Sequence, residues 1–379
     1  MSDTHLHIVS FNVPWPANYG GVIDVYYRVK ALHDAGVRVH LHCYTYGRPQ
    51  AKELEQWCDE VFYYRRDTKP WNLLGRRPYI TSSRHSRSLF RQLMRDDHPV
   101  LLEGLHSAFT LEQIRAYEKA RGLKPRTILL RAHNVEHDYY SQLAKVEPRM
   151  TKRLYLRMEA RKLLRYEPVM REATHVLAVT QADANHFSEI GCKSVVLLPS
   201  SHPFDNVVAV PGKGGYAIYQ GNLSVGENIE AARYLITEVF SRSHHRLILA
   251  GCNPSGDLID LAGRYPNISL VANPSDEEMD SLIANAQVNV LYTKQPTGLK
   301  LKLLHALYCG RYCLVNPEMV AGTSLETLCH VADNPQAMMS QLDMLMDRPF
   351  SDEDLRFRSL HIGTLYSPSE NARILKGLL

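Results

Sequence analysis

Val288-Asn-Val-Leu-Tyr-Thr-Lys-Gln-Pro-Thr-Gly-Leu-Lys-Leu-Lys-Leu-Leu-His-Ala-Leu-Tyr-Cys-Gly-Arg-Tyr-Cys-Leu-Val315 reads as strand, helix, strand. Val288–Tyr292 and Tyr312–Val315 are short apolar runs, and between them Leu299, Leu303, Leu304 and Leu307 recur at helical spacing. Two buried strands joined across a helix lie parallel, because only a crossover connection returns the chain to the same edge of a sheet. The polar loop before the helix matters for chemistry. A helix N-terminus presents unpaired N–H groups and the positive end of a dipole, so Thr297, Gly298 and Leu299 can cradle a phosphate that Lys300 and Lys302 neutralise. A solvated helix face has the same pattern, and the surroundings must decide between the two.

The same alternation runs through the chain. His7–Phe11, Val37–Tyr44, Val100–Glu103, Thr127–Leu130 and Thr174–Thr180 read as strands and Ile23–Ala35 as a helix. After the Pro- and Gly-rich stretch near 200–215, a second cycle follows. Its strands are Tyr216–Tyr219, Arg246–Ala250, Ile268–Val271, Val288–Tyr292 and Tyr312–Val315, and its helices Asn228–Phe240, Ser275–Ala286 and Leu299–Cys309. The pattern predicts an α/β protein of two Rossmann-like domains. Ser275-Asp-Glu-Glu278 and Ser351-Asp-Glu-Asp354 read as helix caps, so the Asp-x-Asp at 352–354 is a helix start rather than a metal site.

Composition narrows the class. With 379 residues, 45% of them hydrophobic, the chain has material for two cores. No run of about 18 apolar residues and no charged-then-apolar leader appears, which predicts a cytoplasmic protein. Seven cysteines without a Cys-x-x-Cys pair read as reduced packing thiols, not as disulfides or a zinc site. The net charge is only +4, but residues 65–95 hold nine Lys/Arg against Asp67, and residues 145–171 hold nine against Glu147, Glu159 and Glu167. These segments fit an anionic membrane surface or a phosphorylated acceptor, or are merely solvated faces. They contain no nucleic-acid-binding module, so nucleic acid is not expected as a partner.

Ligands of open α/β sheets bind beyond the C-terminal strand ends. In the first such loop Gly20 and Gly21 permit close approach of a ligand or simply form a turn, and their spacing is not that of an NAD fingerprint. Arg131-Ala-His-Asn-Val-Glu-His-Asp138 is dense in polar groups; His133, Asn134 and Glu136 can bond sugar hydroxyls, while His137 and Asp138 read as solvent-facing. In Gln220–Asn228, Gly221 can admit a ligand, or Ser224 or Asn228 caps a helix.

Taken in order, Gly-Gly after the first strand, His-Asn-x-Glu at 133–136, Gln-Gly-Asn at 220–222 and Gly-x-Lys-x-Lys at 298–302 before Cys309-Gly310 resemble a GT-B nucleotide-sugar glycosyltransferase of the GT4-like (group 1) family. The resemblance implies two Rossmann-like domains facing across a cleft. These are residues 1–203 on the acceptor side and 204–354 on the donor side, with a C-terminal helix, about 355–379, packing back on the first. It also implies transfer of a hexosyl group from a nucleoside-diphosphate sugar to a glycan or lipid-linked acceptor, without metal or other cofactor and with retention, and the basic segments 65–95 and 145–171 add the expectation of a peripheral place at the inner face of a membrane.

On that resemblance His133, Lys300 and Lys302 are the catalytic candidates. Gly20, Gly21, Asn134, Glu136, Gly221, Asn222, Thr297, Gly298, Leu299 and His305 are the donor-binding ones. The chain departs from the family pattern where Thr297 and His305 replace glutamates and where Asn222 and Glu227 replace cations, which throws the diphosphate charge onto Lys300 and Lys302. An inverting mechanism needs a base, for which Asp24, Glu103 and His106 are candidates. Two other readings stand beside the transferase, a catalytically silent nucleotide-sugar-binding scaffold and a sugar-nucleotide epimerase. Oligomeric state is not encoded in any of these patterns.

Overall fold

The computed structural model describes residues 4–295 and 300–379, apart from the side chains of 364 and 365. The chain forms two units, Met1–Pro203 with Tyr366–Leu379, and Phe204–Leu365. In the first, strands β1 (Thr4–Ser10), β2 (Val37–Thr45), β3 (Glu60–Arg65), β4 (Val100–Glu103), β5 (Ile128–Ala132), β6 (His175–Ala178) and β7 (Val195–Leu197) form one sheet. Their order is β3-β2-β1-β4-β5-β6-β7, and every pair is parallel. Adjacent residues of a strand enter opposite cores: Val9, Leu102, Leu130 and Val176 on one face, Ile8, Leu101, Leu129 and Leu177 on the other. Burial on both faces is why these strands read as unbroken apolar runs.

The second unit repeats the plan. Strands β8 (Ala217–Gln220), β9 (Leu247–Gly251), β10 (Ile268–Ala272), β11 (Val288–Leu291), β12 (Tyr312–Val315) and β13 (His330–Val331) are parallel in the order β10-β9-β8-β11-β12-β13. Each sheet therefore reverses direction once, between β1 and β4 and between β8 and β11. At such a switch point the two outgoing loops part to opposite faces and leave a crevice at the C-terminal edge.

Strands β3, β7 and β13, which sequence patterning did not reveal, are outermost in their sheets and only partly buried. With one side chain row in water, their apolar signal is diluted. The predicted caps are present: Ser275 accepts from the Glu278 amide at 3.1 Å and Ser351 from the Asp354 amide at 3.1 Å. All seven cysteines are free thiols. No helix among the described residues is long and apolar enough to cross a membrane.

The chain's return to the first unit comes later than the expected position near 355. Helix Asp352–Leu365 belongs to the second unit, and the return begins at Tyr366, where Ser367 caps a new helix, Pro368–Lys376, by accepting from the Glu370 amide. Proline at the first helical position cannot continue a preceding helix, so the break falls here. The new helix places Ala372 and Leu375 in the core under helix Gly20–Asp34, and Tyr366 O accepts from His202 Nε2 at 2.6 Å.

Strand β9 ends against the loop leaving β8. A Cβ on Gly251 would stand 1.8 Å from the Gly221 carbonyl oxygen, whereas one on Gly256 would meet nothing. We expect Gly251→Ala to destabilise the second unit by about 3 kcal/mol through overpacking, and Gly256→Ala to change its urea midpoint little.

Candidate functional site

At the switch point of the first unit, five ionisable side chains meet. Asp24 and Arg28 lie one turn apart on helix Gly20–Asp34, Glu103 ends β4, Arg131 is in β5 and His133 follows it. Asp24, Arg28, Glu103 and Arg131 are all at most 2% exposed. Charges taken so far from water persist only when paired. Asp24 pairs with Arg28, takes two hydrogen bonds from Arg131 at 3.1 and 3.2 Å and one from the Ser201 amide at 2.6 Å, and has His133 Nδ1 at 3.3 Å. Glu103 pairs with Arg28 and has His133 Nε2 at 3.0 Å.

The protonation states follow. Burial acts to raise the Asp24 carboxyl, but Arg131 and Arg28 outweigh it and hold the group well below its usual range; Arg28 does the same for Glu103 against the same burial. Burial opposes a charge on His133, yet its contacts with Asp24 and Glu103 raise its pKa. Asp24 and Glu103 are thus locked carboxylates and poor general bases, contrary to what their position in sequence offers. At His133 the two carboxylates outweigh burial and shift the balance toward the protonated ring. Asp24, Glu103 and His133 converge closely enough to ligate a cation. With Arg28 and Arg131 already on the carboxylates, a further cation is repelled.

Around this core the other candidates separate. Glu136 opens helix Glu136–Val146 and is buried; desolvation pushes its carboxyl up to about 7, with His133 and Arg84 pulling the other way. His106, in the turn after β4, is held neutral by burial and by the neighbouring cations Arg84 and His133. Asn134 is half-buried, and Gly20 is the exposed first residue of its helix. Gly21 has a packing reason: a Cβ would stand 2.8 Å from the Phe11 ring, which lies tilted against His106 at 5.2 Å and meets His133 edge-on at 5.4 Å. His137 does not face solvent as expected. Helix Met150–Tyr166 folds back over helix Glu136–Val146, and Glu167 beyond it is 3.2 Å from His137 and 2.8 Å from His186.

In the second unit, helix Leu301–Cys309 begins two residues later than its apolar spacing predicts, so Lys300 precedes it and Lys302 is its second residue. The Lys302 ammonium donates to Asn228 Oδ1 at 2.9 Å and to the Tyr219 hydroxyl at 3.4 Å, and lies over the Tyr219 ring. Gln220, at the end of β8, donates to the Lys302 carbonyl at 3.2 Å. Although the residue keeps some exposure, protein around the ammonium lowers its pKa to about 8. Burial is the main cause and Lys300 adds repulsion, with Glu227 opposing. Glu227 itself accepts from the Thr293 hydroxyl at the end of β11.

Asn222 is engaged in a turn, its Oδ1 accepting from the Ser224 amide at 3.0 Å, and a Cβ on Gly221 would meet the Asn228 side chain at 3.2 Å. His305 bonds Asp280 at 2.7 Å and packs on Phe204. Thr297, Gly298 and Leu299 lie outside the described residues. Sequence reasoning missed Asn228 as the partner of Lys302, having read it as a cap. It also missed Arg28, although Asp24 and Arg28 stand at the four-residue spacing that pairs charges on a helix.

Residues 20–200 match the family model described as Glycosyltransferase Family 4. A Klebsiella pneumoniae protein described as an uncharacterized 44.6 kDa protein in the cps region is 25% identical over 319 residues, which is 79% of each chain. Among solved structures, the lipopolysaccharide outer core galactosyltransferase WaaB in its apo form aligns over 99% of this chain and 98% of its own with a TM-score of 0.66 and 12% identity. An E. coli trehalose-6-phosphate structure bound with UDP-2-fluoro glucose aligns over 99% of both chains with a TM-score of 0.64 and 11% identity. The fold is that of the GT-B glycosyltransferases, the fold that the sequence resemblance implied.

Two outcomes follow from the buried charges. Asp24→Asn leaves Arg131 and Arg28 with a neutral neighbour, and we expect a loss of about 3–5 kcal/mol in chemical denaturation, the cost of breaking a buried pair. Glu136 has the opposite linkage. The unfolded carboxyl loses its proton near 4.5 and the folded one near 7, so between these values the native chain holds a proton the unfolded chain has released. Stability therefore falls as pH rises across that window, and Glu136→Gln should flatten this fall and leave the protein more stable at pH 7.5.

Proposed function

We propose that this GT-B chain, whose residues 20–200 match Glycosyltransferase Family 4, moves a hexosyl group from a nucleoside-diphosphate sugar to a glycan or lipid-linked acceptor, with retention and without a metal, at the inner face of a membrane. The observation that carries the reading is Lys302. Its ammonium stands at the β8–β11 switch point and is hydrogen-bonded by the neutral oxygens of Asn228 and Tyr219. No carboxylate bonds it among the described contacts, so its charge is available to an anion. UDP-sugars are the first donors to test, since the E. coli relative in fold is bound with UDP-2-fluoro glucose.

Cleaving the anomeric bond to a diphosphate builds negative charge on the leaving oxygen and positive character on the sugar ring. Preorganised cations aimed at the leaving group stabilise that state more than the ground state. Lys302 has this role, with Lys300 beside it. Asn228 and Tyr219 position the ammonium rather than neutralise it. On this reading the two lysines supply the charge that metal-dependent transferases take from a divalent cation. In the first unit, His133, held between Asp24 and Glu103, contacts the donor sugar.

Retention is favoured because the carboxylates first considered as bases are engaged by arginines, and a leaving phosphate oxygen can accept the acceptor proton itself. A second reading, inversion, has one observation in its favour: Glu136, with a carboxyl near 7, is suited to take a proton at neutral pH. The anomer of the product separates the two.

A thermal-shift panel of UDP-, GDP- and dTDP-sugars should give one clear rise, about 2.7 kcal/mol at a hundredfold excess over Kd. Lys302→Ala should lower turnover by about 10²–10³ with the fold intact, and the wild-type rate at limiting donor should decline above pH 8 as the ammonium loses its proton. A near-normal rate in the variant removes Lys302 from the mechanism. Donor binding without transfer or slow donor hydrolysis would favour the scaffold reading.

A further inference from the structure

The two basic segments of the sequence meet in one cavity of the first unit. Its volume is about 1300 Å³, and its walls are residues 71–77, the 82–85 turn, helix Ala108–Arg121 and helix Met150–Tyr166. That exceeds the roughly 300–1,000 Å³ of a typical small-ligand pocket. Arg157, Arg161 and Arg165 recur every four residues and form one stripe along its wall, with Arg76 across from them. None of these four has a carboxylate within ion-pair distance among the described residues, whereas Arg77 pairs with Glu112 at 2.5 Å and Lys162 with Glu159 at 2.9 Å.

The apolar content of the same walls sets this cavity apart from a solvated helix face. Trp71 is 60% exposed, Leu154 70% and Met158 43%. Leu154 and Met158 are themselves four residues apart, so they run beside the arginine stripe. A face that only needs to stay soluble gains nothing from a tryptophan, a leucine and a methionine held open beside unpaired guanidinium groups. The cavity thus offers an excess of positive charge and a hydrocarbon-compatible wall together.

We infer that this cavity binds a membrane lipid with a phosphate-bearing headgroup, phosphate oxygens on Arg76, Arg157, Arg161 and Arg165 and hydrocarbon against Trp71, Leu154 and Met158. Guanidinium groups suit phosphate because their planar donor fork matches two oxygens at once. The inference rests on the transferase reading only for what the lipid is used for; binding does not depend on it.

The test is co-sedimentation of the full chain with phosphatidylcholine vesicles, with and without phosphatidylglycerol. We expect binding only to the anionic vesicles, weakening with salt. Arg157→Glu with Arg161→Glu should reduce partitioning by about tenfold or more, since each basic side chain near such a surface is worth about a factor of five. Leu154→Ser with Met158→Ser should reduce it several-fold while leaving its salt dependence in place. All four positions are exposed, and unchanged thermal unfolding of both variants shows that folding is not the cause. Binding by neither vesicle, or equal binding by the arginine variant, overturns the inference. If inorganic phosphate at matched ionic strength abolishes binding and the apolar variant binds normally, the cavity takes free phosphate and the lipid assignment fails. Vesicle binding without a nucleotide-sugar thermal shift would instead defeat the transferase reading and leave this one standing.

Discussion

Asp24 is the point on which the first unit turns. A single buried carboxylate gathers Arg28 from its own helix, Arg131 from β5, His133 from the following loop and the amide of Ser201. The desolvation cost of so many charges is large, and it is offset only while every partner stays in place. That makes the network a constraint more than a source of stability. It fixes the register of helix, strand end and loop where the sheet changes direction, and through Ser201 it also fixes the segment by which the chain leaves the unit. Burial of the β4 carboxylate and the raised pKa of His133 both depend on that arrangement.

The two units use one topology for two electrostatic solutions. In the first, cations and carboxylates at the switch point are paired within the protein, and the nearby Glu136 carboxyl, outside that pairing, is pushed up to about 7. In the second, the cation is held by a phenol and an amide, which orient it without cancelling it. A site closed upon itself keeps its geometry with or without ligand. A site with a cation on neutral partners has a standing demand for an anion. The difference follows from which residue types the strand-end loops carry, since backbone plan and strand order are shared.

Most of the fold was legible in the sequence because the central strands are buried on both faces and the helices carry local start signals such as Ser275 and Ser351. What was not legible depends on distance along the chain. Asp24 and Arg131 lie 107 residues apart, and Lys302 and Asn228 lie 74 apart, so no periodicity encodes either pair. Gly21 could be marked as unusual, but its reason is the Phe11 ring ten positions earlier. His137 was misplaced because only the fold shows a second helix covering it. The basic segments were visible as composition; that they share walls with Trp71 and Leu154 was not.

The whole second unit lies between His202 and Tyr366, and a hydrogen bond joins these two residues. Residues 204–365 are therefore an insertion whose two ends leave the first unit side by side. Such a segment can be exchanged by recombination as a block without reopening the sheet that carries Asp24 and His133. It also sets an order of synthesis. Helix Gly20–Asp34 is synthesised before the second unit, whereas Ala372 and Leu375, which cover it, come after that entire unit, so this helix waits for its cover until the second unit has been made.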